Sequence, residues 1–171
     1  MSILDTIKNR RSIRDFKDRE IPDEAVGALI EAIRWAPSAG NMQSRKFYFV
    51  FDQDAKNELA KAALNQHFIS EAPLVVVACL DRRIAARYGD RGVNLYSIQD
   101  VAASVMNMML TAHELGLGSV WVGAFNEFEV FEHLNLPVNL RPIAIIPIGY
   151  PSKTPRTTPR VSPDEIVEFV R

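Results

Sequence analysis

The order of apolar and polar positions divides the chain into short elements. Ser2 and Asp5 have the spacing of a capping box, and Ile3, Leu4 and Ile7 share one face of the helix that would follow. Pro22 suits the first turn of a second helix with the stripe Val26, Leu29, Ile30 and Ile33, and Pro37 stops it. Phe47–Phe51 is aromatic and β-branched, which predicts a strand, and Ala55–Leu64 predicts a helix of good formers. Leu74–Leu80 (LVVVACL) is apolar on both sides, the pattern of a strand covered on both faces. Asp81–Asn94 is polar with Gly89 and Gly92 and predicts a connection or lid. Ser97–Leu115 predicts a long helix ended by Gly116. Its apolar positions Ile98, Val101, Val105, Met108, Met109, Ala112 and Leu115 surround too much of the cylinder for a surface helix, so it belongs at the centre or in a subunit interface. Ser119–Val122 predicts a short strand, Glu127–Leu134 a short helix, and Ile143–Ile148 a buried strand. Seven of the ten prolines fall from Pro137 onward, which predicts an extended C-terminal arm with helical last turns over Pro163–Val170. Helices and strands mix without strict alternation, so an α+β fold in a single domain, 1–171, is expected.

Composition narrows the function. Apolar residues make up 47% of the 171, enough to order a core without disulfides. A monomer of 19.2 kDa should expose ~8,400 Å². A formal charge of −1 argues against a nucleic-acid binder. No apolar run is long enough to span a membrane, and the start MSILDTIKNRR reverses the order of a secretory signal, so a cytoplasmic protein is expected. The single cysteine, Cys79, and three histidines without ligand spacing (His67, His113, His133) predict no metal site. The P-loop, zinc-protease, CxxC and nucleophile-elbow signatures are absent. Gly116-Leu117-Gly118-Ser119-Val120-Trp121 fails as a dinucleotide fingerprint, because Trp121 stands where a small residue is needed and the order runs helix to strand.

Three segments carry candidate chemistry, each beside a plainer reading. Arg10-Arg11-Ser12-Ile13-Arg14 concentrates guanidinium forks and a hydroxyl suited to a phosphate, or is a solvated helix end. Ala36-Pro37-Ser38-Ala39-Gly40-Asn41-Met42-Gln43 allows close backbone approach to a flat polar ligand, or is a loop after a stopped helix. Gly118–Phe125 could present backbone N–H groups to a ring edge, or is a core strand with Trp121 as filler.

In this order the segments resemble the FMN-dependent nitroreductase family over nearly the whole chain: RRSIRDF, APSAGNMQ, the strand FYFVF, EAPLVVVACLD, the stretch from Arg87 to Phe125, and LRPIAIIPIGYPSK. The resemblance implies a nitroreductase-like fold, a central mixed or antiparallel sheet covered by helices in an intertwined homodimer with FMN between subunits. It assigns the flavin phosphate to Arg10, Ser12 and Arg14, with Arg11 close by, and to Arg160, with Arg156 as the fallback. It places Pro37, Ser38, Ala39, Gly40 and Asn41 of the opposite subunit against the flavin, Asn65 at the ring, and Val122 and Gly123 over one face, a backbone N–H near N5. Gln43, Phe68, Tyr88, Tyr96 and Phe125 would line the substrate side.

No protein nucleophile or metal is implied. The expected activity is ping-pong hydride transfer from NAD(P)H through FMN to a nitroaromatic, quinone or similar small oxidant. The alternatives are a specialised relative (a reductive dehalogenase or flavin-fragmenting enzyme), which the short Asp81–Asn94 connection disfavours, and a non-catalytic flavin-binding module. Two departures from the family pattern stand out. Phe68 replaces a lysine that longer members place near flavin N1 and O2, and Gln43-Ser44-Arg45 replaces Gln-Pro-Trp.

Overall fold

A computed structural model describes residues 2–171. The first helix, α1 (Ile3–Asn9), starts at a reciprocal capping box: Ser2 Oγ accepts from the Asp5 N–H at 3.1 Å, and the Ser2 N–H donates to Asp5 Oδ2 at 3.0 Å. Pro22 stands one position before α2 (Asp23–Arg34), which buries Leu29 and Ile33 and leaves Ile30 exposed. The chain continues through β1 (Arg45–Val50), α3 (Gln53–Ala62), α4 (Phe68–Glu71), β2 (Leu74–Asp81), α5 (Ala85–Arg91), α6 (Ser97–Glu114), β3 (Gly118–Ser119), α7 (Glu127–His133) and β4 (Leu140–Gly149).

The four strands lie in the order β1-β2-β4-β3, with every ladder antiparallel. All eight residues of β2 are buried, as its two-sided apolar pattern requires. On one face Val76, Ala78 and Leu80 pack with Leu29 of α2 and with Val101, Val105, Met108 and Met109 of α6. On the other, Val75, Val77 and Cys79 pack with Leu59 of α3, Ile69 of α4 and Val130 of α7. The β2–β4 ladder shifts register between Ala78 and Cys79, where Cys79 meets Pro142, a residue with no N–H for the ladder.

The structure corrects three sequence expectations. Asp81–Asn94 is no open connection: a 3₁₀ turn (Arg82–Ile84), α5 and a π-helical turn (Gly92–Tyr96) lead into α6. Gly89 holds φ +53° within that run, so glycine serves as a kink. The strand expected at Ser119–Val122 is two residues long, with Val122 returning as a single bridge to Ile145. Of the helix expected at Pro163–Val170 only the turn Pro163–Glu165 forms, because an arm lying away from the core has no surface on which to bury a helical stripe.

Candidate functional site

The site is built from two walls. The first begins where α1 stops at Arg10, whose φ and ψ (−55°, 134°) are extended. From there the chain runs as a strip beside the sheet: Ser12 forms a parallel bridge to Ser119, the Ile13 N–H donates to Ser119 O at 3.0 Å, and Phe16 bridges Pro151. Gly118 permits this approach, since a Cβ there would stand 2.5 Å from Ile13 Cγ1. Ile13 and Phe16 turn into the core, while Arg14 is exposed and Arg10 and Arg11 are half-buried.

The arginines divide by role. Arg11 is engaged: it donates to Lys8 O at 2.7 Å and Arg10 O at 2.9 Å, and to Thr157 Oγ1 at 2.6 Å, which ties the C-terminal arm to the end of α1. Arg10 is half-buried, and its Nη1 is buried without a hydrogen-bond partner. Burial, and then the charges of Arg160 and Arg11, hold its pKa below the usual arginine value. A cavity of about 140 Å³ lies beside it, lined in part by Ile13, His113, Ser119 and Thr154. His113 Nε2 and Ser119 Oγ, like Arg10 Nη1, are buried without a partner. A half-buried cation crowded by two more, with no carboxylate on it, is a place for an anion.

Arg14 stands apart, its guanidinium 5.9 Å from the centre of the Phe68 ring. Asn65 follows α3 with φ +58°, and Gln66 Nε2 donates to Ala124 O at 3.5 Å. The Asn126 N–H donates to Ala62 O at 2.8 Å, so the segment carrying Val122, Gly123 and half-buried Phe125 is pinned beside residues 62–68.

The second wall is the loop Pro37–Gln43. Gly40, Asn41 and Gln43 all hold positive φ (53°, 55° and 52°). The Tyr88 hydroxyl packs against the bare Cα of Gly40. Tyr88 meets Tyr96 edge to face at 5.4 Å, so three substrate-side candidates gather here: Gln43, Tyr88 and Tyr96.

One chain keeps its two walls apart. The loop precedes β1 at one edge of the sheet, whereas the arginine strip lies beyond β3 at the other, four strand spacings or ~19 Å away. Along α6 the loop touches Asp100 in the first turn, and the strip lies past the last. Within one chain they therefore lie at opposite edges of the sheet.

Burial pushes the Cys79 thiol up to about 12, so it stays neutral and unreactive at ordinary pH. Among the described residues no three His, Cys, Asp or Glu side chains gather as a metal site. No helix is long and apolar enough to cross a membrane.

The model of the nitroreductase family matches residues 7–78 and 60–150. The chain belongs to the nitroreductase family. This nitroreductase-family chain is 31% identical over 170 residues to a Methanothermobacter thermautotrophicus protein provisionally named NADH dehydrogenase/NAD(P)H nitroreductase, covering 97% of this chain and 86% of that one. It is 31% identical over 172 residues to the NADPH-flavin oxidoreductase of Vibrio harveyi (96% and 72% covered). The solved NADPH:FMN oxidoreductase of Vibrio harveyi, in complex with NAD+, superposes with a TM-score of 0.91 at 30% identity, covering 99% of this chain and 77% of that one. The nitroreductase fold is thus shared over 99% of this chain.

Proposed function

We propose that the protein is an FMN-dependent oxidoreductase that takes hydride from NAD(P)H and passes it to a small organic oxidant such as a nitroaromatic or quinone. The observation that carries this reading is the half-buried, unpartnered guanidinium of Arg10, which lines a cavity and feels the charge of Arg160, in a chain of this family. The residues present fit a flavin phosphate: Arg10, Ser12 and Arg160 would hold it, and Arg160 rather than Arg156 is the arm's arginine whose charge bears on Arg10. Arg11 supports the site by fastening the arm. Arg14, over Phe68, supplies positive charge where longer relatives carry a lysine, so it serves the ring end of the site. Asn65, Val122 and Gly123 complete that wall. When bound, FMN supplies the hydride-accepting and hydride-donating chemistry; the protein orients it, excludes water and offers backbone donors at Gly123.

A homodimer supplies the second wall, Pro37, Ser38, Ala39, Gly40 and Asn41 of the opposite chain. Three features support it. The exposed surface is 10,273 Å², roughly 1,800 Å² more than a monomer of this mass should show. Ile3, Leu4 and Ile7 of α1, Trp35 (81% exposed), and Ile98 and Met106 of α6 leave an apolar face uncovered. The arm after Pro151 exposes Ile166, Phe169 and Val170 and has little of its own chain to cover them. The two cores share β2, so residues 1–171 act as one domain.

The test is an anaerobic spectrum of the FMN-loaded protein. Bleaching by NADH or NADPH, and return of colour with nitroaromatics or quinones, is the expected result. Bound flavin that neither nicotinamide bleaches would leave a non-catalytic flavin-binding module.

A further inference from the structure

Helix α2 ends at Trp35, and its last carbonyls lack intrahelical partners. Arg45, at the start of β1, takes them up. Its Nη2 donates to Ala36 O at 2.8 Å and Arg34 O at 3.4 Å, and its Nη1 to Pro37 O at 3.0 Å and Asp100 O at 3.4 Å. One planar fork therefore joins the end of α2, the first residue of the loop and the first turn of α6, a geometry no ammonium reproduces. From the other side, buried Asp100 accepts the Ala39 N–H on Oδ1 at 3.0 Å. Between these anchors the loop closes on itself, with the Gln43 N–H donating to Ser38 Oγ at 3.0 Å.

Three positive-φ residues in four positions are not a shape a free loop keeps; it persists where surrounding contacts over-determine it. Burial lowers the pKa of Arg45 while Asp100 raises it, and burial raises that of Asp100 while the Ala39 N–H and then Arg45 lower it, so the two charges support each other. Arg45 stands where the family pattern has a tryptophan, and in this chain it ties the loop by hydrogen bonds.

We propose that Arg45 and Asp100 are positioning residues that hold the loop Pro37–Gln43 in the form that meets the partner subunit's flavin. This rests on the reading above, in which the loop and the arginine strip of different chains enclose one cofactor. The pair touches no phosphate, so its effect is on the ring, and FMN and riboflavin depend on it equally.

The test measures flavin affinity by fluorescence quenching, with dimer content from light scattering. In Arg45→Leu and Asp100→Leu, binding of both flavins weakens by a similar factor, roughly tenfold, with the dimer kept. Asp100→Asn retains an acceptor for the Ala39 N–H and binds within about twofold of the parent. Mixed dimers pairing an Arg10→Ala chain with an Arg45→Leu chain bring both defects together at one site and leave the other intact. Half the sites then bind FMN with parent affinity.

Parent-like affinity in both leucine variants, equal loss in Asp100→Asn and Asp100→Leu, or mixed dimers without parent-like sites would each overturn the assignment. Failure of both leucine variants to give folded dimers would mark the pair as a fold support and overturn it as well. Unchanged FMN binding in Arg10→Ala faults the phosphate reading instead, and the Arg45 and Asp100 variants still decide the clamp.

Discussion

Arg10 and Arg14 belong to one short basic run, yet their surroundings give them different work. Arg10 is half-buried without a partner and is crowded by Arg160 and Arg11, while Arg14 lies over the ring of Phe68. Charge-assisted bonds to a phosphate are worth about 1.5–3 kcal/mol, so Arg10→Ala should weaken FMN binding roughly tenfold to a hundredfold and barely change riboflavin. Arg14→Ala should weaken both flavins together, and parallel titrations of FMN and riboflavin check the contrast. Cys79 gives a pH signature. Its folded pKa, about 12, lies above the unfolded value, so its contribution to stability is full below the unfolded value, near ~8.5. That contribution is lost as pH rises toward about 12, because the unfolded chain ionises first. Denaturant unfolding at pH 8 to 10 should show stability falling, and Cys79→Val should flatten the slope.

Among the elements, the contact between the arginine strip and β3 has the least tolerance. Gly118 lies against Ile13, and a methyl group there would stand 2.5 Å from Cγ1 and 2.8 Å from Cβ of Ile13. The neighbour is a branched side chain fixed in the core, so it cannot swing away. Gly118→Ala should therefore cost about 1–3 kcal/mol, the usual range for overpacking, and displace Ser12 from its bridge. Urea unfolding reads the first effect and FMN titration the second. Gly40→Val is a poorer probe of the opposite wall, because the Tyr88 hydroxyl of the same chain already occupies the space a side chain would need. Its damage would begin within one chain.

At the scale of the whole molecule, the excess surface, the uncovered apolar face and the separation of the two walls are the observations behind the proposed dimer. Obligate interfaces of this kind bury more than about 2,000 Å². Light scattering at micromolar concentration should show a dimer, and a monomer that still holds FMN would count decisively against the shared site. Removing residues 152–171 should weaken FMN binding, since the truncation takes Arg160 from beside Arg10 and releases Arg11 from Thr157.

How much of this was legible in the sequence depends on the range of the interactions. Helices α1, α2, α3 and α6 and the buried strands β2 and β4 follow from capping, periodicity and apolar runs, all of which act within a few residues. The family resemblance, carried by the ordered motifs, also pointed to a flavin site. The sequence could not show that the chain after Asp81 would be helical, because its polar pattern is stabilised by packing Tyr88 onto Gly40 and by running into α6. Nor could it separate Arg10 from Arg11 and Arg14, which are chemically alike until Thr157, Arg160 and Phe68 come up beside them from distant parts of the chain. Arg45 stood out in the sequence only as a departure from the family pattern, and Asp100 carried no local signal. Fifty-five residues apart, they meet only through the fold, and hydrogen bonds from a guanidinium to backbone carbonyls leave no pattern in a sequence. Local chemistry was thus determined by the sequence alone. Which charges stay unpaired, and which loop is held rigid, was decided by the tertiary structure, because burial and long-range contacts set both.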